Sequence, residues 1–308
     1  MKLEISYKIQ MSNPDQNKNV ALVLSGGGAR GMAHIGVIEA LTDQGFNITS
    51  IAGTSIGSVI GGVYISGNME GFRDWVTSVS KFDIIKLMDF AISKSGFIKG
   101  EKVFKKLKKF LSDKNIEDIE IPFAAVAVDL MNHKEVVFTK GNLHDAIRAS
   151  VSIPTVLKPF PYKNVNLVDG GVLNPLPLNR VKRNDGDILV AVDLNADIEY
   201  ELPPGIKQQE NGNHTYENAL NYINDKWSKF FKQDKTRQIG FFDLVTHSVY
   251  AMQVKLTQVA IREYKPDVLI EISKNACDLF EFHRSEEMIK YGHHQCLKKI
   301  KQFQPTSG

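Results

Sequence analysis

Residues 20–58, VALVLSGGGARGMAHIGVIEALTDQGFNITSIAGTSIGS, decide the fold. The apolar run Val20–Ser25 predicts a buried strand, and a cluster of glycines follows it. The stretch MAHIGVIEALTDQG has the apolar spacing of a helix that stops at Gly45, ITSIAG predicts a second strand, and IGSVIGGVYISG predicts a helix ending near Gly67. This alternation of strands and helices predicts a parallel sheet that is covered by helices.

The rest of the chain continues this pattern within one α/β domain. Further apolar runs predict strands at IPFAAVAVDL, KEVVFT, VNLVDGG, DILVAVDL and PDVLIEIS, and a helix from about Ser285 to Ile300 closes the chain. We expect an N-terminal extension at residues 1–19 and a single domain at residues 20–308. A polar stretch at about 196–240 interrupts that domain, and its composition predicts an insertion or a mobile cover over the core.

The composition is that of a folded globular protein. Of the 308 residues, 43% are hydrophobic and 24% charged, and the formal net charge of +3 argues against a nucleic-acid binder. Cys277 and Cys296 are far apart in the sequence, so we expect reduced thiols and neither a disulfide framework nor a metal site. No signal peptide is recognisable, and no run approaches the roughly 18 apolar residues of a membrane span. We expect a cytoplasmic protein without metal or cofactor, for which peripheral contact with the inner face of a membrane stays open.

The glycine cluster SGGGARG favours an oxyanion hole over a nucleotide site. Gly26, Gly28 and Gly31 match G-x-G-x-x-G, the dinucleotide fingerprint. However, the second predicted strand ends in SIAGTS without the acidic residue that would bind the ribose, and no Gly-Lys-Ser/Thr of a phosphate loop follows. Successive N–H groups in a glycine turn at the start of a helix can also bind the oxyanion of an acyl-transfer reaction. Arg30 would add positive charge to this loop or brace it.

Ser55 has the sequence context of a catalytic nucleophile. It lies between Gly53 and Gly57 in a G-x-S-x-G pattern, after a predicted strand and before a predicted helix. A nucleophile elbow has this order, and it needs small neighbours because its turn is sharp. The glycine cluster one strand–helix unit upstream strengthens the assignment.

The proton acceptor for Ser55 is the open question. His247 and His283 have the chain order of a triad base, but the first lies in a predicted helix and the second in a charged stretch. Asp169 in LVDGG is the better partner, because it ends an apolar strand, where α/β folds place catalytic groups. Partial burial or a fixed hydrogen bond would make its carboxylate a competent base. An Asp-Gly turn without a catalytic role is an equal alternative for Asp169.

The motifs SGGGARG, GTSIG and DGG, in this order, resemble those of the patatin-like phospholipase family. The chain is most similar to bacterial members that are like the esterase domain of neuropathy target esterase. The resemblance runs from about Val20 to Asp193, where it includes RASVSIP and NPLP, and it is weaker towards the C-terminus. Ser25 stands where many members have Asp, as in that subgroup. The resemblance implies a three-layer α/β/α sandwich with a mostly parallel central sheet.

The resemblance also implies a reaction and its residues. Ser55 would be the nucleophile and Asp169 the base of a Ser-Asp dyad, so no histidine would be required. The oxyanion donors would be Gly26, Gly27 and Gly28, with Arg30, Gly31, Gly53, Gly57, Gly170 and Gly171 in support. The substrate would be a phospholipid, a lysophospholipid or another fatty-acyl ester, cleaved through an acyl-enzyme. We expect a Gly27→Val variant to fold and to lose most turnover.

Two other functions and one surface question stay open. An esterase with a Ser-His-Asp triad and a non-enzymatic lipid-binding regulatory protein are the alternatives, and a homo-oligomer is not excluded. A basic amphipathic helix is predicted at KGEKVFKKLKKFLSD. Because its apolar face is narrow, we expect this helix to dock on the core of the protein and not to lie on an anionic bilayer. Together with the apolar FDIIKLMDFAISKSGF before it, we expect residues 82–111 to border the lipid entrance.

Overall fold

A computed structural model of the chain describes residues 18–87, 100–154, 156–203, 205–206 and 241–303. The strands are β1 Asn19–Leu24, β2 Asn47–Thr54, β3 Phe123–Asp129, β4 Lys134–Phe138, β5 Phe160–Tyr162, β6 Val165–Asp169, β7 Ile188–Ala196 and β8 Val268–Ser273. The helices are α1 Ala33–Asp43, α2 Ile56–Ile65, α3 Met69–Ser78, α4 Lys81–Leu87, α5 Glu101–Leu107, α6 Leu143–Ser150, α7 Phe241–Tyr264 and α8 Ser285–Gln302. Nearly all of the predicted N-terminal extension and most of the predicted insertion, residues 207–240, lie outside the described residues.

The strands form one mixed sheet. Their hydrogen-bonded order is β5-β6-β3-β2-β1-β7-β8, and β4 also pairs with β3. The pairs β1–β2, β2–β3, β1–β7 and β7–β8 are parallel. The pairs β3–β4, β3–β6 and β5–β6 are antiparallel. The predicted mostly parallel sheet is therefore confirmed, with its antiparallel strands gathered at one end.

Both faces of the sheet are covered. Along β1, Val20, Leu22 and Leu24 belong to the larger core cluster, whereas Ala21 and Val23 belong to a second cluster on the opposite face. Successive side chains of a strand point to opposite faces, so a strand buried on both sides has a continuous apolar sequence. Helices α1, α2, α6 and α8 pack on the first cluster and α7 on the second, which confirms the three-layer sandwich.

The basic helix is docked as expected, although it is shorter than its pattern predicts. Regular α-helix ends at Leu107, and a turn continues the chain to Leu111. Leu107 and Leu111 are buried, while Lys105, Lys108 and Lys109 are exposed. Within the described ranges, no helix is long and apolar enough to cross a bilayer.

Candidate active site

Ser55 lies on the sharp turn between β2 and α2. Its backbone has φ 54° and ψ −125°, a left-handed conformation that a side-chain-bearing residue rarely adopts. The turn is closed by direct backbone packing, because a Cβ on Gly53 would lie 2.5 Å from the Gly57 carbonyl and one on Gly57 would lie 2.2 Å from the Leu24 carbonyl oxygen. Ser55 therefore has the sharp strand-to-helix turn that a nucleophile elbow requires, and this strained geometry is typical of functional sites.

Hydrogen bonds hold the main chain of Ser55 in this conformation. Its N–H donates to the Ser150 hydroxyl at 3.0 Å. Its carbonyl oxygen accepts from the Ser58 N–H at 2.9 Å and from the Ser58 hydroxyl at 2.6 Å. Ser150 ends α6 and is fully buried, and sequence reasoning assigned it no role although it lies within the motif RASVSIP. Its hydrogen bond connects the backbone of Ser55 to a second helix, α6.

Asp169 reaches Ser55 because two strands meet end to end. Strand β4 pairs with one edge of β3, so β2 and β6 both pair with the other edge. On that edge, Thr54 of β2 pairs with Val126, and Asp169 of β6 pairs with the next residue, Ala127. The last residue of β6 therefore lies beside the last residue of β2, immediately before Ser55. We expected Asp169 at the carboxyl end of a parallel strand, and that reason is wrong, because β6 runs antiparallel to β3.

The Asp169 carboxyl is buried and is a stronger base than an ordinary aspartate. Burial raises its pKa to about 6, although the nearby Ser55 hydroxyl and the Gly171 N–H act to lower it. Oδ1 accepts from the Gly171 N–H at 2.7 Å. Oδ2 is buried and has no formed hydrogen bond within the described structure, so the Ser55 hydroxyl lies close without completing one. Catalytic hydrogen bonds are often this loose before substrate binds.

Among the described residues, no histidine takes part in this arrangement. The Ser55 hydroxyl and the Gly171 N–H are the groups that act on the Asp169 carboxyl. His247 is exposed on α7. His34 is fully buried, its Nε2 lies 2.9 Å from the Ser25 carbonyl oxygen, and burial lowers its pKa to about 4. The arrangement favours the two-residue dyad over the triad alternative.

The glycine loop follows β1 and approaches Ser55 from the neighbouring strand. A Cβ on Gly26 would lie 3.3 Å from Ser55 Cβ, which places the loop beside the nucleophile. Gly28 has φ 59°, and a Cβ there would lie 2.6 Å from the Leu279 carbonyl oxygen, so only glycine fits. The Gly26 N–H donates to the Pro175 carbonyl at 3.0 Å, whereas the N–H groups of Gly27 and Gly28 donate to no described residue. Two amides are therefore available for an anion.

Arg30 braces this loop through buried hydrogen bonds. Its guanidinium donates to the Leu194 carbonyl at 3.0 Å, to the Cys277 carbonyl at 2.8 Å and to Asn195 Oδ1 at 2.9 Å. Of the two roles expected for Arg30, the bracing one is seen. Asn195 also donates from Nδ2 to the Gly26 carbonyl at 2.9 Å, so it connects Arg30 to the loop. Sequence reasoning missed Asn195, although a polar residue at the end of an apolar strand was the available signal.

The remaining supporting glycines allow close packing around the two proposed catalytic residues. A Cβ on Gly31 would lie 2.2 Å from Ile56 Cγ1, in the residue after the nucleophile. A Cβ on Gly170 would lie 2.3 Å from the Val126 carbonyl oxygen, and one on Gly171 would lie 2.8 Å from Gln253 Nε2. Each position therefore admits only glycine unless its neighbours move.

An apolar cavity of about 210 Å³ opens from Ser55 and Gly28. Helices α2 to α5 supply most of its wall, including Val59, Phe72, Trp75, Ile84 and Phe104. Met32, from the glycine loop, also lines it. Ser55 carries the only hydroxyl group among the described lining side chains. The shape and apolar composition of this cavity suit a hydrocarbon group next to Ser55. The part of residues 82–111 that is described borders this cavity, as expected.

Metal chemistry has no candidate ligands within the described ranges. No cluster there combines three or more His, Cys, Asp or Glu side chains that could hold an ion. Cys277 and Cys296 are buried free thiols, as the sequence predicts, and burial raises the pKa of each to about 12.

Comparison with known proteins finds relatives of this chain. A family model described as patatin-like phospholipase matches residues 22–181, just over half of the chain. An uncharacterized NTE family protein of Mycobacterium tuberculosis is 30% identical over 92% of each chain. Patatin-like phospholipase domain-containing protein 6 of Homo sapiens is 32% identical over 59% of this chain and 14% of its own length. The crystal structure of VipD from Legionella pneumophila aligns with 94% of this chain and 67% of its own, with a TM-score of 0.47 and 14% identity. The chain therefore belongs to the patatin-like phospholipase family, and this membership supports a lipid hydrolase activity.

Proposed function

We propose that the protein is a serine carboxylic-ester hydrolase that removes acyl groups from lipids. The proposal rests on the position of Ser55. This residue is held at positive φ beside the buried Asp169, and it lines an apolar cavity. Family membership supports the reaction class. The apolar lining supports a fatty-acyl ester as the substrate, whether a phospholipid, a lysophospholipid or a simpler ester.

In the first step, Ser55 Oγ attacks the ester carbonyl carbon while its proton passes to the Asp169 carboxylate. The carbonyl electrons move onto the oxygen, which becomes an oxyanion. We assign its stabilisation to the N–H groups of Gly27 and Gly28, at the start of the 3-10 turn Gly28–Met32. Gly26, which the resemblance included among the donors, is left out because its N–H already donates to Pro175.

In the second step, the tetrahedral intermediate collapses and the bond to the alcohol oxygen breaks. Asp169 returns its proton to that oxygen, and the acyl group stays on Ser55 as an ester. Water then attacks this acyl-enzyme while Asp169 takes one of its protons, and Ser55 Oγ leaves with that proton. The products are a carboxylic acid and an alcohol, and both residues return to their starting states.

The test is hydrolysis of a short-chain p-nitrophenyl ester and of phospholipid micelles by the purified protein. Ser55→Ala and Asp169→Asn should each remove turnover while circular dichroism shows that the fold is kept. His247→Ala should retain full activity, because this histidine is exposed and a dyad does not use it. A parent that is inert on both substrates and is not labelled by a serine-directed phosphonate would instead favour the lipid-binding alternative.

A further inference from the structure

Helices α4 and α5 have two chemically different faces. Their inner faces line the cavity through Ile84 and Leu87 of α4 and through Val103, Phe104 and Leu107 of α5. Their outer faces carry lysines. The outer faces of these two helices therefore form part of the described surface next to the cavity.

This surface concentrates the positive charge of the chain. Residues 81–87 and 100–111 contain seven lysines and two carboxylates, a net charge of +5, whereas the whole chain has a formal net charge of +3. We call these seven lysines the basic rim: Lys81 and Lys106 are half-buried, and the exposed members are Lys86, Lys102, Lys105, Lys108 and Lys109. A local excess of one sign attracts partners of the other sign even when the overall charge is small.

Most of the basic rim is not neutralised by the protein itself. Lys105, Lys106, Lys108 and Lys109 form no ion pair with any described residue. Lysines on α8 contrast with them, because Lys290, Lys298 and Lys299 each lie within ion-pair distance of a glutamate, at 2.8, 3.8 and 2.8 Å respectively. These four lysines therefore keep their charge available for an external partner.

A large apolar side chain is exposed on α4, next to one lysine of the basic rim. Phe82 is 63% exposed at the start of α4, and the Lys86 ammonium lies 4.2 Å from the centre of its ring. An exposed aromatic ring among lysines suits the boundary between lipid head groups and acyl chains, where the ring enters and the ammonium groups stay outside. An acidic protein or a nucleic acid would use the charge but not this ring in the same way.

We propose that the basic rim and Phe82 dock the protein on the surface of an anionic lipid bilayer. Docking there would bring the cavity bordered by α4 and α5 next to the acyl chains, and this consequence rests on the proposed lipid hydrolase function. The partner is the charged lipid surface itself, and it is recognised by its anionic head groups together with its apolar interior.

The experiment is co-sedimentation with vesicles of phosphatidylcholine alone or mixed equally with phosphatidylglycerol, in a Ser55→Ala background that leaves the lipids intact. The parent surface should bind the mixed vesicles, bind phosphatidylcholine weakly, and release at high ionic strength. Lys105→Gln, Lys108→Gln and Lys109→Gln combined should weaken binding about a hundredfold, at about fivefold for each lysine near an anionic surface. Phe82→Ala should weaken it several-fold, even at low ionic strength.

A matched triple variant on α8, with Lys290, Lys298 and Lys301 changed to Gln, loses the same charge and should bind almost like the parent. Equal weakening by the two triple variants would show a general charge effect and overturn the proposal. So would an absence of binding to mixed vesicles, or binding to a polyanion such as RNA without binding to vesicles. Turnover of a soluble ester by the variant at Lys105, Lys108 and Lys109 with Ser55 restored should equal that of the parent, so a failure to bind lipid is separable from a failure of the proposed catalysis.

Discussion

Replacing Asp169 by asparagine should stabilise the folded protein at neutral pH while removing the proposed reaction. Burial raises the pKa of this carboxyl from its ordinary value of 3.8 to about 6. The folded chain therefore binds the proton more tightly than the unfolded chain, so stability falls as the pH rises from about 4 to about 6. At about 1.36 kcal/mol per pKa unit, the ionised carboxylate lowers the free energy of unfolding by about 3 kcal/mol at neutral pH.

The amide removes this destabilisation and introduces a smaller one. Its oxygen can keep accepting from the Gly171 N–H, which lies 2.7 Å from Asp169 Oδ1. Its nitrogen would occupy the place of Oδ2, which is buried and has no formed hydrogen bond in the described structure. An unpaired buried donor costs about 1–2 kcal/mol unless it donates to the Ser55 hydroxyl, so the net stabilisation should be about 1–3 kcal/mol.

The assay is urea denaturation followed by circular dichroism at about pH 7.5 and at about pH 5, where linkage predicts that roughly half of the destabilisation remains. Asp185→Asn, at an exposed aspartate, is the matched control and should leave the midpoint unchanged. If Asp169→Asn is no more stable than the parent at the higher pH, or if its advantage does not shrink at the lower pH, the reasoning about a buried charged base is wrong.

Three further predictions concern catalysis. The proposed base must be ionised to accept a proton. We therefore expect kcat/KM for a soluble ester to fall about tenfold per pH unit below the Asp169 pKa of about 6 and to level off above it. A kcat/KM that does not change below pH 6 would exclude this base. Asn195→Asp keeps the oxygen that accepts from Arg30 but loses the N–H group that donates to the Gly26 carbonyl. Its kcat should therefore fall about tenfold at constant KM. Asn195→Ala loses both hydrogen bonds, so it should also lower the unfolding temperature. Unchanged kcat in Asn195→Asp would contradict this positioning. Ile84→Trp fills part of the cavity and should reduce kcat/KM for long-chain esters far more than for acetate, and equal reductions would argue against an acyl site.

The elbow at Ser55 was predictable because its determinants are close in sequence. Gly53 and Gly57 flank the serine, and the backbone contact that demands glycine at position 53 lies within the same turn, whereas Gly57 packs on the Leu24 carbonyl of the neighbouring strand. The strand before it and the helix after it are each visible as apolar runs of the right length. Local chemistry of this kind is contained in a short window, so no knowledge of distant pairing is needed.

The approach of Asp169 depends on pairing across more than a hundred residues, which periodicity does not encode. An apolar run predicts a strand but not its direction, and here the antiparallel direction of β6 brings its last residue to the end of β2. The hydrogen bond from the Gly26 N–H to Pro175 was unpredictable for a similar reason, since the two residues are remote in sequence. A Cβ on Gly27 would lie 2.7 Å from Leu194 Cβ, so Gly27→Val should strain the packing there in addition to any effect on turnover.

Exclusion of water from the site has opposite effects on folding and on the proposed proton transfer. Ser55 and Asp169 are 6% and 5% exposed, and an ionised carboxylate at that depth weakens the fold. The same burial raises the proton affinity of Asp169 about a hundredfold over an ordinary aspartate, which brings a carboxylate close to the basicity of imidazole. A Ser-Asp pair can thus do without histidine only where water is kept away. The apolar cavity beside Ser55 helps to maintain that condition, and an acyl chain that fills it would exclude water further. The wall that would bind the substrate therefore also keeps water from the hydroxyl that Asp169 would deprotonate.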